Sequence, residues 1–181
     1  MKKNGAIICA VFAIVAIIAG NKDEYKSKNG NELRFSEESM LLIGDAEGCR
    51  KDVYKCPANL WTIGIGHTGG VTALAKNASN EQIAEWFAED LINAQNCIEQ
   101  NVESRIKTEL TQGMFDAIGS FIFNIGCGKF IKSTMFKMII DKDNLEACNQ
   151  LQRWVYAGKE ILPGLVERRS KERIMCIRGL K

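Results

Sequence analysis

Residues 47–68 read EGCRKDVYKCPANLWTIGIGHT, and the rest of the chain is best understood outward from this stretch. It holds Glu47, Cys56 and Thr62, with eight residues between the first two and five between the last two. Val53 and Tyr54, then Trp61, Ile63 and Ile65, are β-formers, broken by Pro57 and by Gly64, Gly66, Gly69 and Gly70. The pattern predicts a small sheet with tight turns. Immediately upstream, FSEESMLLIGDAEG (35–48) reads as a helix. Ser36 can cap its free amides, Phe35 stands where a staple residue stands, and Glu37 and Glu38 suit the positive end of the dipole. Met40, Leu41, Leu42 and Ile43 supply apolar surface, and Gly48 suits the stop. Glu47 is therefore expected at the end of a helix, beside a sheet.

Downstream the period is helical. Ile83, Trp86, Phe87, Leu91, Ala94 and Ile98 recur at three and four. Further helices are expected near 111–123, 133–140, 144–156 and 165–177. The fold class is α+β, mostly helical, with a small sheet beside the first helix of the folded part. A length of 181 residues gives one domain plus a short extra segment.

Composition narrows the function. The chain is 46% hydrophobic and 25% charged, ordinary for a globular protein, and a net charge of +2 does not point to nucleic acid. The last helical stretch is locally basic, with Arg168, Arg169, Lys171, Arg173, Arg178 and Lys181 against Glu167 and Glu172. It reads as a solvated face or as an attraction for an acidic polymer. There are seven cysteines: Cys9, Cys49, Cys56, Cys97, Cys127, Cys148 and Cys176. No CxxC pair occurs and His67 is the single histidine, which argues against structural zinc. Disulfides in an oxidising compartment fit better, and an odd count leaves at least one thiol over or exchanging.

The N-terminus is hydrophobic. Lys2 and Lys3 precede an uncharged run over 4–21 whose centre is GAIICAVFAIVAIIAG. As a helix, that run spans roughly 27 Å, slightly less than the roughly 30 Å of a bilayer core. Its alanines and glycines make it a marginal span. It reads as a cleaved signal peptide with a poor cleavage site, as a permanent anchor, or as a signal-anchor that later releases. Lys22, Lys26 and Lys28 follow the run, so charge does not settle its orientation, but so short a tail favours a cytoplasmic N-terminus. Residues 22–35 are polar and read as a linker.

The 47–68 stretch resembles the catalytic segment of the phage lysozymes, glycoside hydrolase family 24, in which a Glu, an Asp and a Thr at this spacing line a peptidoglycan cleft. The resemblance covers nearly all of 36–176. It includes LTQGMFDAIGSFIFNIG, KSTMFKMI and RWVYAGKEILPGLVERRSKER. Cys56 stands where the family has Asp. The chain is most similar to members secreted through a signal-arrest-release segment. That implies a signal-anchor over 1–21, a linker over 22–35 and a lysozyme catalytic domain over 36–181.

The resemblance implies a glycosidase that cuts the β-1,4 bond between N-acetylmuramic acid and N-acetylglucosamine of peptidoglycan. Glu47 would be the acid, kept protonated by burial in the cleft. Cys56 would act as a thiolate in place of the Asp, which requires a thiol pKa below the usual value. Thr62 would position a water. His67 would organise the glycine-rich turn. Asn124 would bind sugar amides or tie down a helix end. Arg168 and Arg169 would hold peptidoglycan carboxylates or form a structural ion pair. No metal or organic cofactor is implied, and a monomer is expected.

A Cys49–Cys56 disulfide would remove the Cys56 thiol and lock the catalytic loop. Cys9, sheltered in the bilayer until release, could then attack Cys49 and free Cys56 by thiol exchange. This logic resembles the regulation of releasing endolysins. It gives an inactive form held at the host inner membrane through residues 5–20, its catalytic domain in the periplasm, and an active released form with Cys9–Cys49. Cys97, Cys127, Cys148 and Cys176 would form two further bonds in an undetermined pairing. Other readings are a lytic transglycosylase, which needs no second carboxylate, a Cys56–His67 peptidase, and a non-catalytic peptidoglycan binder.

Overall fold

The computed structural model describes residues 6–56 and 59–181. Lys2, Lys3, Asn4, Gly5 and Pro57 lie outside the described residues. The helix before the 47–68 stretch forms where its caps predict. The Ser36 hydroxyl accepts the Ser39 N–H at 3.2 Å, and α2 runs over Glu37–Glu47. It ends at Gly48 and leads directly into β1 (Arg50–Lys55), which pairs antiparallel with β2 (Trp61–Gly64). Ser79 caps α3 (Asn80–Ile98), which a π-helical turn over Glu99–Glu103 and the short α4 (Ser104–Ile106) extend. The chain returns as α5 (Gln112–Ile125), followed by α6 (Cys127–Phe130), α7 (Thr134–Ile140), α8 (Asn144–Gln150) and α9 (Pro163–Arg178).

The apolar α5 is the centre of the core. Phe115, Ala117, Ile118 and Phe121 are fully buried, and α5 packs against α3, α9 and α2. The helix expected over 144–156 stops early. After α8 comes a 3-10 turn at Leu151–Arg153, then a two-stranded hairpin of β3 (Tyr156–Ala157) and β4 (Glu160–Ile161). Val155 and Tyr156 favour extended backbone, and Gly158 supplies the turn between the strands.

The hydrophobic N-terminus is folded into the same core. Among its described residues nine are helical, as α1 (Val11–Ala19), and no described helix is long and apolar enough to cross a membrane. Ile14, Val15 and Ile18 are buried, each contributing roughly 1.5–3 kcal/mol by leaving water. The helix packs on α2 and α3. Contact with α2 is possible because Gly44 has no side chain: a Cβ there would stand 2.3 Å from Val11 Cγ1.

Before α1 the backbone is extended along the outer edge of β1. Lys51 donates its N–H to the Ile7 carbonyl at 2.7 Å, and Cys9 donates to the Cys49 carbonyl at 3.2 Å. Cys9 and Cys49 are disulfide-bonded. The polar stretch 22–35 lies along α3 and the π-helical turn. There the Lys28 N–H meets Asn96 Oδ1 at 2.7 Å, the Arg34 N–H meets Gln95 Oε1 at 2.9 Å, and the Ser27 hydroxyl meets Glu99 Oε2 at 2.8 Å. Side chains of α3 thus satisfy backbone groups that a free linker would leave to water.

The remaining disulfides are Cys97–Cys127 and Cys148–Cys176. They close loops of 30 and 28 residues, worth roughly 3.5 kcal/mol each on the chain-entropy estimate.

Gly44→Val should push α1 off α2 and lower stability by about 1–3 kcal/mol through overpacking. Denaturant unfolding of the disulfide-bonded protein measures this. An unchanged midpoint would mean that α1 does not depend on this close approach.

Candidate active site

Glu47 closes α2 with its side chain 24% exposed, less enclosed than the sequence suggests. Its surroundings are charged. Arg168 of α9 is 5% exposed and donates from Nη1 to Glu47 Oε1 at 2.7 Å. The same guanidinium donates from Nε to Glu172 Oε1 at 3.0 Å and from Nη2 to the Ser120 carbonyl at 3.0 Å. Ser120 in turn donates its hydroxyl to Glu172 Oε1 at 2.6 Å. Arg169 is 1% exposed and bonds Glu172, the Asn124 side-chain oxygen and, at 3.2 Å, the Trp154 carbonyl. Both arginines thus share the fully buried Glu172. They belong to an internal network that ends on Glu47, not to a solvated basic face. The register RRSKE places that acid at i+4 and i+3 from them, a signal the sequence holds but that burial alone turns into a buried site.

Glu47 Oε2 faces the turn that follows β2, where the Ile63 and His67 backbones exchange hydrogen bonds. A Cβ built on Gly66 would lie 3.4 Å from that oxygen, and Gly66 has φ +72°. His67 holds the turn. Its ring stacks on Trp86 with centroids 5.3 Å apart, Nε2 donates to the Gly69 carbonyl at 3.0 Å, and Nδ1 lies 2.9 Å from Asp90 Oδ2. Burial pushes the Asp90 carboxyl above its usual range, against the pull of His67. The hydrogen bonds and the stacking fit the expected organising part for His67.

Thr62 is 2% exposed and donates its hydroxyl to the Leu60 carbonyl at 3.1 Å, leaving its oxygen lone pairs to accept. Cys56 stands outside the three disulfides and is half-buried. Its N–H meets the Leu60 carbonyl at 3.0 Å, and its carbonyl accepts the Asn59 N–H at 2.8 Å.

Two clefts lie near Glu47, which lines the first. One, of about 600 Å³, is lined by Glu47, Asn124 and Arg168 together with Leu162, Pro163 and Leu165 at the start of α9. The other, of about 290 Å³, is lined by Gly66, Thr68, Asp90, Asn93 and Phe123. Gly66, which lines the second, adjoins Glu47. The structure thus brings Glu47, Asn124 and Arg168 to one cleft. Cys56 and Thr62 lie on the hairpin and line neither. Among the described residues no group of His, Cys, Asp or Glu could hold a metal ion.

A carboxylate at the end of a helix, facing a small hairpin and a long cleft in a mostly helical chain, defines a lysozyme-like glycosidase. The chain belongs to the phage lysozyme family, whose model matches residues 44–172. It is 34% identical to the SAR-endolysin of Escherichia phage P1, over 97% of this chain and 94% of that protein. It is 29% identical to the SAR-endolysin of Haemophilus phage HP1, over 97% and 98%. A crystal structure of the active form of P1 phage endolysin Lyz superposes with a TM-score of 0.81 at 34% identity, covering 98% of each chain. The secreted inactive form of the same endolysin gives 0.55 at 32% identity, over 81% of this chain and 97% of that one. The protein is a phage endolysin, a muramidase with peptidoglycan as its substrate.

Glu172→Gln should cost about 3–5 kcal/mol, because two buried guanidiniums lose their shared counter-charge. The denaturation midpoint reports it, and a near-wild-type value would remove this network from its structural role. Gly66→Ala places a methyl against Glu47 at a left-handed backbone position. It should lower turnover between about tenfold and a hundredfold with little loss of secondary structure. Unchanged turnover would mean that the turn does not set the Glu47 geometry.

Proposed function

We propose that this endolysin hydrolyses the β-1,4 bond between N-acetylmuramic acid and N-acetylglucosamine, with Glu47 as acid and Cys56 and Thr62 opposite it. The observation that carries the reading is the setting of Glu47. One carboxylate oxygen is held by the buried Arg168, the other is turned to the Gly66 turn, and the carboxylate lines a cleft with Asn124 and Arg168. Oε2 is then the oxygen that delivers the proton to the leaving sugar. A cleft lined by the acid suits a polymer cut between sugars. Asn124, its side-chain oxygen engaged by Arg169, offers its amide N–H groups to the cleft. Thr62 accepts from the attacking water, and Cys56 acts as thiolate beside the positive charge that develops on the sugar. The enzyme works as a monomer.

In this reading the protein is first held at the host inner membrane through residues 5–20, with the catalytic domain in the periplasm and a Cys49–Cys56 bond closing the site. On release, Cys9 exchanges with that bond. The Cys9 thiolate attacks Cys49 Sγ, the Cys9–Cys49 bond forms, and Cys56 leaves as thiolate. Electrons balance without an external oxidant. Three supports converge. The Cys9–Cys49 bond is present, residues 7–9 are zipped to β1, and α1 is too short to span a bilayer.

Glu47→Gln should abolish release of muropeptides while leaving export and fold intact, and the wild-type products should carry reducible N-acetylmuramic acid ends. Anhydro ends would make the enzyme a transglycosylase instead. Cys9→Ser should be exported yet poorly active until reductant is added, and non-reducing peptide mapping of its inactive form should find Cys49 joined to Cys56. Full activity of Cys9→Ser without reductant would exclude the exchange and leave the glycosidase reading intact.

A further inference from the structure

The hairpin carries one more polar group toward the site, which the sequence reading takes only as a β-former. Tyr54 lies opposite Thr62 in the β1–β2 register, and Lys55 lies opposite Trp61. The Cys56 N–H bond to the Leu60 carbonyl continues that ladder one step past the strand. Side chains two residues apart on a strand share a face, as do directly opposed residues of an antiparallel pair. Tyr54, Cys56 and Thr62 therefore lie on one face of the hairpin, with Tyr54 between the other two along the sheet. The Tyr54 ring is fixed from its own strand, because the Arg50 guanidinium sits 4.5 Å from its centroid and is itself paired with Asp52.

Resting on the reading that Cys56 works as a thiolate, we propose that Tyr54 is a positioning residue of the active site, its phenol O–H donating to the Cys56 sulfur and stabilising the thiolate. A thiolate needs such a donor. The family's Asp is ionised at neutral pH without help, whereas a cysteine is mostly protonated there. Tyr54 meets the requirement on its own chemistry. Burial holds its phenol above the usual range, the charges of Glu47 and Cys56 push it the same way, and Arg50 opposes them. The shift favours the protonated phenol, the form that donates. Among the charged groups near this face are Arg50 on β1, Glu47 at the end of α2 and, beyond Glu47, Arg168 on α9.

The test is Tyr54→Phe in the full chain with its three disulfides intact. Phenylalanine keeps the ring and the Arg50 contact and removes only the hydroxyl. The rate of iodoacetamide alkylation of Cys56, followed by peptide mass spectrometry as pH is raised, reports the thiol titration without using activity. The midpoint should move up by about one pH unit, the effect of losing a hydrogen bond to a charged group. Turnover on purified peptidoglycan should fall about tenfold with KM unchanged. An unmoved midpoint in a variant of wild-type melting temperature would overturn the proposal, as would a rise in KM with unchanged kcat. Failure of the broader reading is distinguishable: if Cys56→Ala is fully active while the alkylation midpoint still moves in Tyr54→Phe, Cys56 has no part in the reaction but its contact with Tyr54 stands.

Discussion

Two buried guanidiniums on one buried carboxylate hold the functional half of this molecule together. Arg168 and Arg169 both close on Glu172, and neither can exist inside the protein without it. Their remaining donors reach in different directions. Arg168 ties α9 to α5 through Ser120 and to α2 through Glu47, while Arg169 reaches Asn124 and the backbone at Trp154. A network of this kind is directional where apolar packing is not, so it sets the angle at which Glu47 meets the cleft. The hydrogen-bonding capacity of a guanidinium, five N–H donors in a fixed plane, is what lets one residue serve three helices.

The hairpin beside Glu47 is held by backbone. The hairpin carrying Thr62 and Cys56 has two strands of its own, and an isolated two-stranded ribbon is marginal in water. Here the extended residues 7–9 pair with its outer edge and the Cys9–Cys49 bond fastens them. The turn at its inner end is clamped by His67 between Asp90, Gly69 and Trp86. The N-terminal segment thus supports the hairpin mechanically, by edge pairing, and covalently, through a cysteine two residues from Glu47. If α1 is withdrawn from α2 and α3, both supports go together, because Cys9 and α1 are separated by a single residue.

The same segment illustrates how context decides the fate of an apolar sequence. Ile14, Val15 and Ile18 would be equally content in lipid and in the protein core, since both remove them from water. A small-residue run is a weak membrane span but a good packing element, because it allows close helix approach. Gly44 on α2 is the matching feature, open enough to take Val11.

Much of the fold is legible in the chain. Ser36 announces the start of α2, the period of three and four announces α3, and the glycine-rich β-formers announce the hairpin. Glu47 at a helix end beside that hairpin follows from local signals alone, because capping and periodicity act within a few residues. Three things required the tertiary structure. The pairing of Cys97 with Cys127 and of Cys148 with Cys176 depends on which helix ends meet, which spacing does not encode. The polar stretch 22–35 reads as a linker because its partners, Gln95, Asn96, Glu99 and Glu103, are some 60–70 residues away in the chain. The basic α9 reads as a solvated face because charge is visible in a sequence and burial is not. Only packing against α5 and α2 turned Arg168 inward onto Glu47, 121 residues distant, and joined the end of one helix to another as a site.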